Sequence, residues 1–181
     1  MPNPLSDVSS WAYVIQDMNA RRIEKIGALP VDLVVVDQAD RNGVAFDADD
    51  IAALKGAGDK LVLSYLSIGE AETYRPYWDP AWEDTPPAWL AAENPEWAGN
   101  IKVAYWDPDW QAIVFAMVDA LVDAGFDGLY LDIVDAFWYW EDVDPGAAPG
   151  LFRERMVDFV AAIRTRAETR LAENGRAGED F

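Results

Sequence analysis

The sequence predicts an α/β domain in which a parallel sheet is covered by helices. Three observations predict it. Apolar runs of strand length alternate with helical patterns along most of the chain. Those runs are apolar on both faces, as expected of strands buried between helices. Each run also ends in a carboxylate or has one just beyond it, and in parallel α/β architectures that end of the sheet is where sites are built.

The elements follow in order. Residues 1–10 read as a tail, and "WAYVIQD" (Trp11–Asp17) predicts the first strand. "NARRIEKIGAL" predicts a short helix, and "DLVVVD" (Asp32–Asp37) a buried strand. "DADDIAALKGAG" opens with acids that suit the positive end of a helix and closes with glycines that suit its exit. "KLVLSYLS" (Lys60–Ser67) predicts the third strand. A connection of about 33 residues, rich in Trp, Pro and Glu, then runs from Ile68 to Asn100; loops that long in a compact domain are usually functional. "IKVAYWD" (Ile101–Asp107) predicts the fourth strand, and "PDWQAIVFAMVDALVDAG" an amphipathic helix closed by Gly125. "GLYLDIVD" (Gly128–Asp135) predicts the fifth strand, and "LFRERMVDFVAAIRTRAETRLAENG" the last and longest helix. No internal boundary is visible, so residues 11–181 read as one domain.

Composition narrows the chemistry. The 181 residues include no cysteine and no histidine, so disulfides, thiolate metal sites and imidazole catalysis are excluded. Acid–base work must run on carboxylates, Tyr or Lys. The formal charge of −19 repels nucleic acid and anionic membranes and favours cationic partners. Acidity equally serves solubility or reflects a salt-adapted or GC-rich source, which the four lysines against ten arginines fit. No apolar run approaches the roughly 20 residues that span a bilayer. The segment "MPNPLSDVSSW" lacks a charged-then-apolar leader pattern, which implies a cytoplasmic protein or one whose leader is gone.

Strand alternation points to candidate residues. Trp11, Tyr13, Ile15 and Asp17 share one face of the first strand, Leu33, Val35 and Asp37 one of the second, and Gly128, Tyr130 and Asp132 one of the fifth. An Asp at a strand end often only caps the next helix. Asp107 reads that way, because Pro108 takes the favoured first helical position. Asp132 does not, because Ile133 and Val134 extend the apolar run. Asp132 and Asp135 precede the aromatic run Phe137–Trp140. Carboxylates beside aromatic walls are the ingredients of glycoside hydrolysis, and aromatic faces stack on sugars or attract ammonium groups. No nucleotide-binding motif is present, and "EDVDPG" lacks both the spacing and the closing Glu of a calcium loop, so no metal and no cofactor is expected.

Three phrases carry a family resemblance. "SYLSIGEAETYRPYW" after the third strand, "VAYWDPDWQ" around the fourth and "GFDGLYLDIVD" at the fifth resemble the endo-α-1,4-polygalactosaminidases, glycoside hydrolase family 114. The resemblance runs from about Trp11 to the end of the chain. It implies a (β/α)8 barrel of TIM type that cleaves galactosamine-containing polysaccharide, cationic when deacetylated, by a two-carboxylate mechanism. Under it, Asp132 matches the catalytic aspartate, the nucleophile. Asp17, Asp37, Tyr65, Ser67, Glu70, Tyr105 and Trp106 match positions lining the cleft, Gly69 would let the backbone turn tightly beside the sugar, and Asp135 joins the substrate-binding set. A secreted or periplasmic location is also implied.

One departure matters. Such a barrel needs eight strands and about 250 residues, whereas only about the first five βα units are recognisable here. The general acid/base Glu of the family follows a sixth strand, and no Glu of this chain matches it. The expectation is therefore a C-terminally truncated barrel, or one completed by a partner chain, whose open edge invites self-association. A non-catalytic carbohydrate-binding remnant is the alternative function. A third reading is an acidic α/β domain whose aromatics merely fill core and loops.

Overall fold

The computed structural model describes residues 4–58, 60–179 and 181. A 3-10 turn at Pro4–Asp7 leads into β1 (Trp11–Val14), α1 (Ala20–Gly27), β2 (Leu33–Val36), α2 (Ala48–Lys55) and β3 (Leu61–Ser67). Then come β4 (Glu70–Glu72), a second 3-10 turn at Pro80–Glu83, β5 (Leu90–Glu93) and β6 (Asn100–Val103). The chain ends with α3 (Pro108–Ala124), β7 (Gly128–Asp132), α4 (Phe137–Val143) and α5 (Leu151–Glu173). It forms two compact units, one comprising residues up to Leu66, Val118–Tyr130 and Arg166 onward, the other Ser67–Met117 and Leu131–Thr165.

The first unit is built on the parallel sheet, in the order β1-β2-β3-β7. β1 pairs with β2 through Trp11 and Leu33, and β2 with β3 through Leu33 and Leu61, all parallel. One sheet face sends Val34, Val36 and Val62 into a core with Ile23 and Ile26 of α1, Ile51 and Leu54 of α2, and Leu121 of α3. The other face gathers Leu33, Val35 and Tyr65. The helices start where their caps dictate. The Asn19 side chain accepts from the Arg22 amide, and Asp47 and Asp50 form a reciprocal capping box at α2. They end on Lys60, whose buried ammonium donates to the carbonyls of Ile26 (2.6 Å), Gly27 (3.1 Å) and Leu54 (3.4 Å). Burial lowers the pKa of that ammonium.

The described part of the N-terminal tail is tied down. One carboxylate oxygen of Asp32 accepts from the amides and hydroxyls of both Ser9 and Ser10, at 2.8–2.9 Å. Residues 1–3 of the expected tail lie outside the described residues.

The second unit departs from expectation. "IKVAYWD" does not enter the parallel sheet. Its first residues form β6, which pairs antiparallel with β4 and β5 in a separate three-stranded sheet. The chain then turns at Ala104–Asp107, closed by the Asp107 amide on the Ala104 carbonyl at 2.7 Å. The physical reason is visible in the strand itself. Asn100 and Lys102 need polar partners, and β4 supplies one in Glu70. The long connection after Ile68 is therefore ordered structure rather than loop. The parallel sheet holds four strands among the described residues, half of the eight in a barrel.

The sequence holds two near copies of one phrase, "YWDPAW" at Tyr77–Trp82 and "YWDPDW" at Tyr105–Trp110, and both start a helical turn. Asp79 caps the 3-10 turn by accepting from the Ala81 amide at 2.9 Å, and Asp107 caps α3 by accepting from the Asp109 amide at 2.9 Å. Their tyrosines are internal: Tyr77 accepts from the Glu72 amide at 2.7 Å, and Tyr105 donates to the Phe152 carbonyl at 2.5 Å. Trp82 and Trp110 meet through Trp89, with ring centroids 5.1 and 5.4 Å apart. The tryptophans of the first copy thus pack the insertion.

Candidate active site

The second unit assembles its candidates around the end of β3. "SIGE" (Ser67–Glu70) is pinned residue by residue. The Ser67 hydroxyl donates to the Glu70 carbonyl at 3.1 Å. The Ile68 amide donates to the Asp132 carbonyl at 3.1 Å, and the Ile68 carbonyl accepts from the Trp110 indole at 2.9 Å. The Gly69 carbonyl accepts from the Val103 amide at 3.3 Å.

Asp132 is the last residue of β7 and is half-buried. Ile133, expected to continue the strand, instead has φ 58°. For a β-branched residue the left-handed region is strained, at a cost of order 1–3 kcal/mol. Gly69 is what makes room for this bend. A Cβ at Gly69 would lie 2.3 Å from the Ile133 carbonyl oxygen and 2.6 Å from the Ala136 Cβ. The need for glycine is thus a close backbone approach beside Asp132, not the tight turn expected, because Gly69 is not among the positive-φ glycines.

Glu70 is fully enclosed. Its carboxylate accepts from Asn94 Nδ2 (2.8 Å), Asn100 Nδ2 (3.2 Å) and the Lys102 ammonium. It ties β4 to β6 and to the end of β5. Glu72 is equally committed, to Arg75 at 2.5 Å and to the Tyr74 hydroxyl at 2.6 Å. Tyr105 is fully buried, and burial raises the pKa of its phenol, so it stays a neutral donor. Trp106 is half-buried against Trp140 (4.8 Å) and Phe152 (5.2 Å), with the Arg155 guanidinium 4.5 Å over its ring. Asp135 is exposed.

The first unit carries the other three candidates at the C-terminal ends of its strands. Asp17 is exposed, three residues past β1, with φ 52°. Asp37 follows β2 directly and accepts from the Ala39 amide at 3.3 Å. Tyr65 lies on β3 and is buried beside Leu33 and Val35.

Sequence reading overlooked Lys102, which neutralises Glu70, and Asn94 and Asn100, which donate to it. The available signal was a lysine inside an apolar run, one of only four in the chain. It also overlooked the bend at Ile133, which no residue type announced. Among the described residues no cluster of carboxylates is arranged to hold a metal ion.

The pattern of glycoside-hydrolase family GH114 matches residues 2–175. The chain belongs to that family. An uncharacterized protein of Deinococcus radiodurans is 40% identical over 163 residues, 90% of this chain and 50% of the relative. Another, of Methanocaldococcus jannaschii, is 40% identical over 156 residues, 84% and 43% of the two chains. This GH114 chain spans about half the length of the curated relatives it matches. Among solved structures it resembles Aspergillus fumigatus Ega3, in complex with galactosamine, at 22% identity and a TM-score of 0.64, over 89% of this chain and 56% of that one. It also resembles the glycoside hydrolase domain of PelA from Pseudomonas aeruginosa, at 20% identity and a TM-score of 0.59, over 94% and 58%. These likenesses establish the fold: an α/β chain with a parallel sheet that corresponds to about half of a TIM-barrel hydrolase domain.

Proposed function

We propose that this GH114 chain serves the hydrolysis of α-1,4-linked galactosamine polysaccharide, with Asp132 as the nucleophile. The observation that carries the reading is the position of Asp132. It ends a parallel strand, where such folds build their sites, and it is fixed from both sides, by the Ile68 amide on its own carbonyl and by the strained Ile133 that follows. Ega3, which shares the fold, was solved with galactosamine bound. In two-carboxylate chemistry one carboxylate attacks the anomeric carbon while a second carboxyl protonates the leaving oxygen, and water then releases the sugar. Within the second unit, Asp135 is the acidic candidate for contact with the substrate's ammonium groups, joined by Trp106 as an aromatic wall. Ser67, Gly69, Glu70 and Tyr105 support the site from within, as their burial and internal hydrogen bonds favour.

A second reading, sugar binding without turnover, is favoured by one observation. Glu70 and Glu72, the glutamates beside the end of β3, are both held in ion pairs and are poor candidates for the acid/base. Incubation with a galactosamine homopolymer separates the readings. Released oligosaccharide supports hydrolysis, binding without release supports the second reading, and the absence of both release and binding overturns both.

A further inference from the structure

Trp138 is 56% exposed, on α4, six residues beyond Asp132. An exposed tryptophan gains affinity for a ligand only if its ring is held still, and this one is held. The Arg153 guanidinium lies 4.5 Å from the Trp138 ring centroid and 5.0 Å from that of Phe137. Arg153 is itself fixed by a two-pronged pair with Glu141, at 2.9 and 3.0 Å. The pair leaves little net positive charge to repel a cationic ligand, and it raises the pKa of the guanidinium through that hydrogen bond. Asp135 is exposed three residues earlier, in the turn that leads into α4, and the Trp138 amide donates to the Asp135 carbonyl at 3.0 Å, which makes the two residues neighbours across one turn of backbone.

We propose that Trp138 and Asp135 form a subsite for one galactosamine residue of the polymer, with the sugar ring stacked on the indole and its ammonium paired with the carboxylate. The inference rests on the proposed function and adds a specificity element to it: the carboxylate reads whether the sugar nitrogen is a charged amine or a neutral acetamide. The stacking half tolerates either sugar, because an indole face meets any ring of C–H groups. Arg153 and Glu141 are positioning residues for the indole.

The test is calorimetric titration of the chain with an α-1,4-galactosamine tetrasaccharide and with its fully N-acetylated counterpart. Trp138→Ala is expected to weaken both ligands by about five- to tenfold, the range of a single aromatic contact. Asp135→Asn is expected to weaken only the amine form, by about threefold or more, and so to abolish the preference between the two. Arg153→Gln should fall between the native chain and Trp138→Ala. Folding is checked by thermal melting. Should Trp138→Ala fail to fold, Trp138→Phe and Trp138→Leu replace it, with Phe retaining affinity and Leu losing it. Native affinity in folded Trp138→Ala, or equal affinity in the Phe and Leu variants, overturns the subsite and leaves the proposed function standing. Weaker binding of both ligands by Asp135→Asn overturns the specificity role. No binding of either tetrasaccharide by the native chain overturns the function proposed for it, and the subsite with it.

Discussion

Gly69 and Ile133 meet where two backbones approach each other beside Asp132, and that contact sets the geometry of the proposed nucleophile. Gly69→Ala places a methyl group 2.3 Å from the Ile133 carbonyl oxygen, against backbone that cannot swing aside. We expect a loss of about 1–3 kcal/mol in denaturant unfolding, as for other overpacked interiors, together with weaker binding of galactosamine oligomers. Native stability in that variant would contradict the account. Glu70 and Lys102 make a second residue-scale case. Glu70 is fully buried and the Lys102 side chain is 19% exposed. Removing the cation strands a buried carboxylate, so Lys102→Met should cost about 3–5 kcal/mol, whereas Glu70→Gln keeps the oxygen that accepts from Asn94 and Lys102, gives up the hydrogen bond from Asn100, and should cost less. An equal cost for the two would show that the carboxylate charge is not what Lys102 answers. At this scale the sequence was readable where residue chemistry is local. Asp107 and Pro108 announced a helix start, and the same Asp-Pro pair at Asp79 and Pro80 starts a 3-10 turn. It was unreadable where the partner is distant: nothing near Glu70 along the chain says that residues 24 to 32 positions later will hydrogen-bond to it.

At the scale of elements, the parallel strands β1, β2, β3 and β7 were legible because each is a short apolar run bounded by polar residues. "IKVAYWD" satisfied the same pattern and still pairs elsewhere. Five of its residues are apolar or aromatic, but Tyr105 and Trp106 belong to the turn, and the remaining strand is defined by the partners of Asn100 and Lys102. Periodicity does not distinguish a parallel strand from a short antiparallel one of similar composition. The tie between the tail and β2 yields a pH prediction. Hydrogen bonds from Ser9, side chain first and then backbone, with those from Ser10, hold the Asp32 pKa down at about 2 against an ordinary value of 3.8. A depressed carboxylate contributes stability that is fully present above its unfolded pKa and is lost as pH falls through the folded one. The tail contact should therefore hold above about pH 4 and weaken toward pH 2. Carboxyl chemical shifts followed through an acid titration check this. Replacing both serines by alanine should move the Asp32 midpoint up toward its ordinary value, and an unmoved midpoint would mean that the serines do not set it.

At the scale of the whole molecule, β1 and β7 are the edges of the four-stranded sheet among the described residues. Trp11, Tyr13 and Tyr130 are exposed on those strands, with ring centroids 6.4 and 5.4 Å apart along the row. Open edges beside exposed aromatics invite association, while the −19 charge opposes it. Salt screens the repulsion more than the apolar contact. Sedimentation at rising ionic strength is therefore expected to show increasing self-association, reduced by Trp11→Lys. Association that falls with salt would contradict this balance. The barrel class was legible from the resemblance of three phrases, but the strand count was not, because one apolar run belongs to a second sheet. The central claim is that Asp132 performs the chemistry of a GH114 hydrolase on galactosamine polymer. The most direct test is the first-turnover release of dinitrophenolate from a dinitrophenyl α-galactosaminide, whose leaving group needs no proton from an acid/base carboxyl, by the native chain and by Asp132→Asn. The account predicts release by the native chain and a loss of at least about 100-fold in the variant, with the fold retained; equal rates would contradict it.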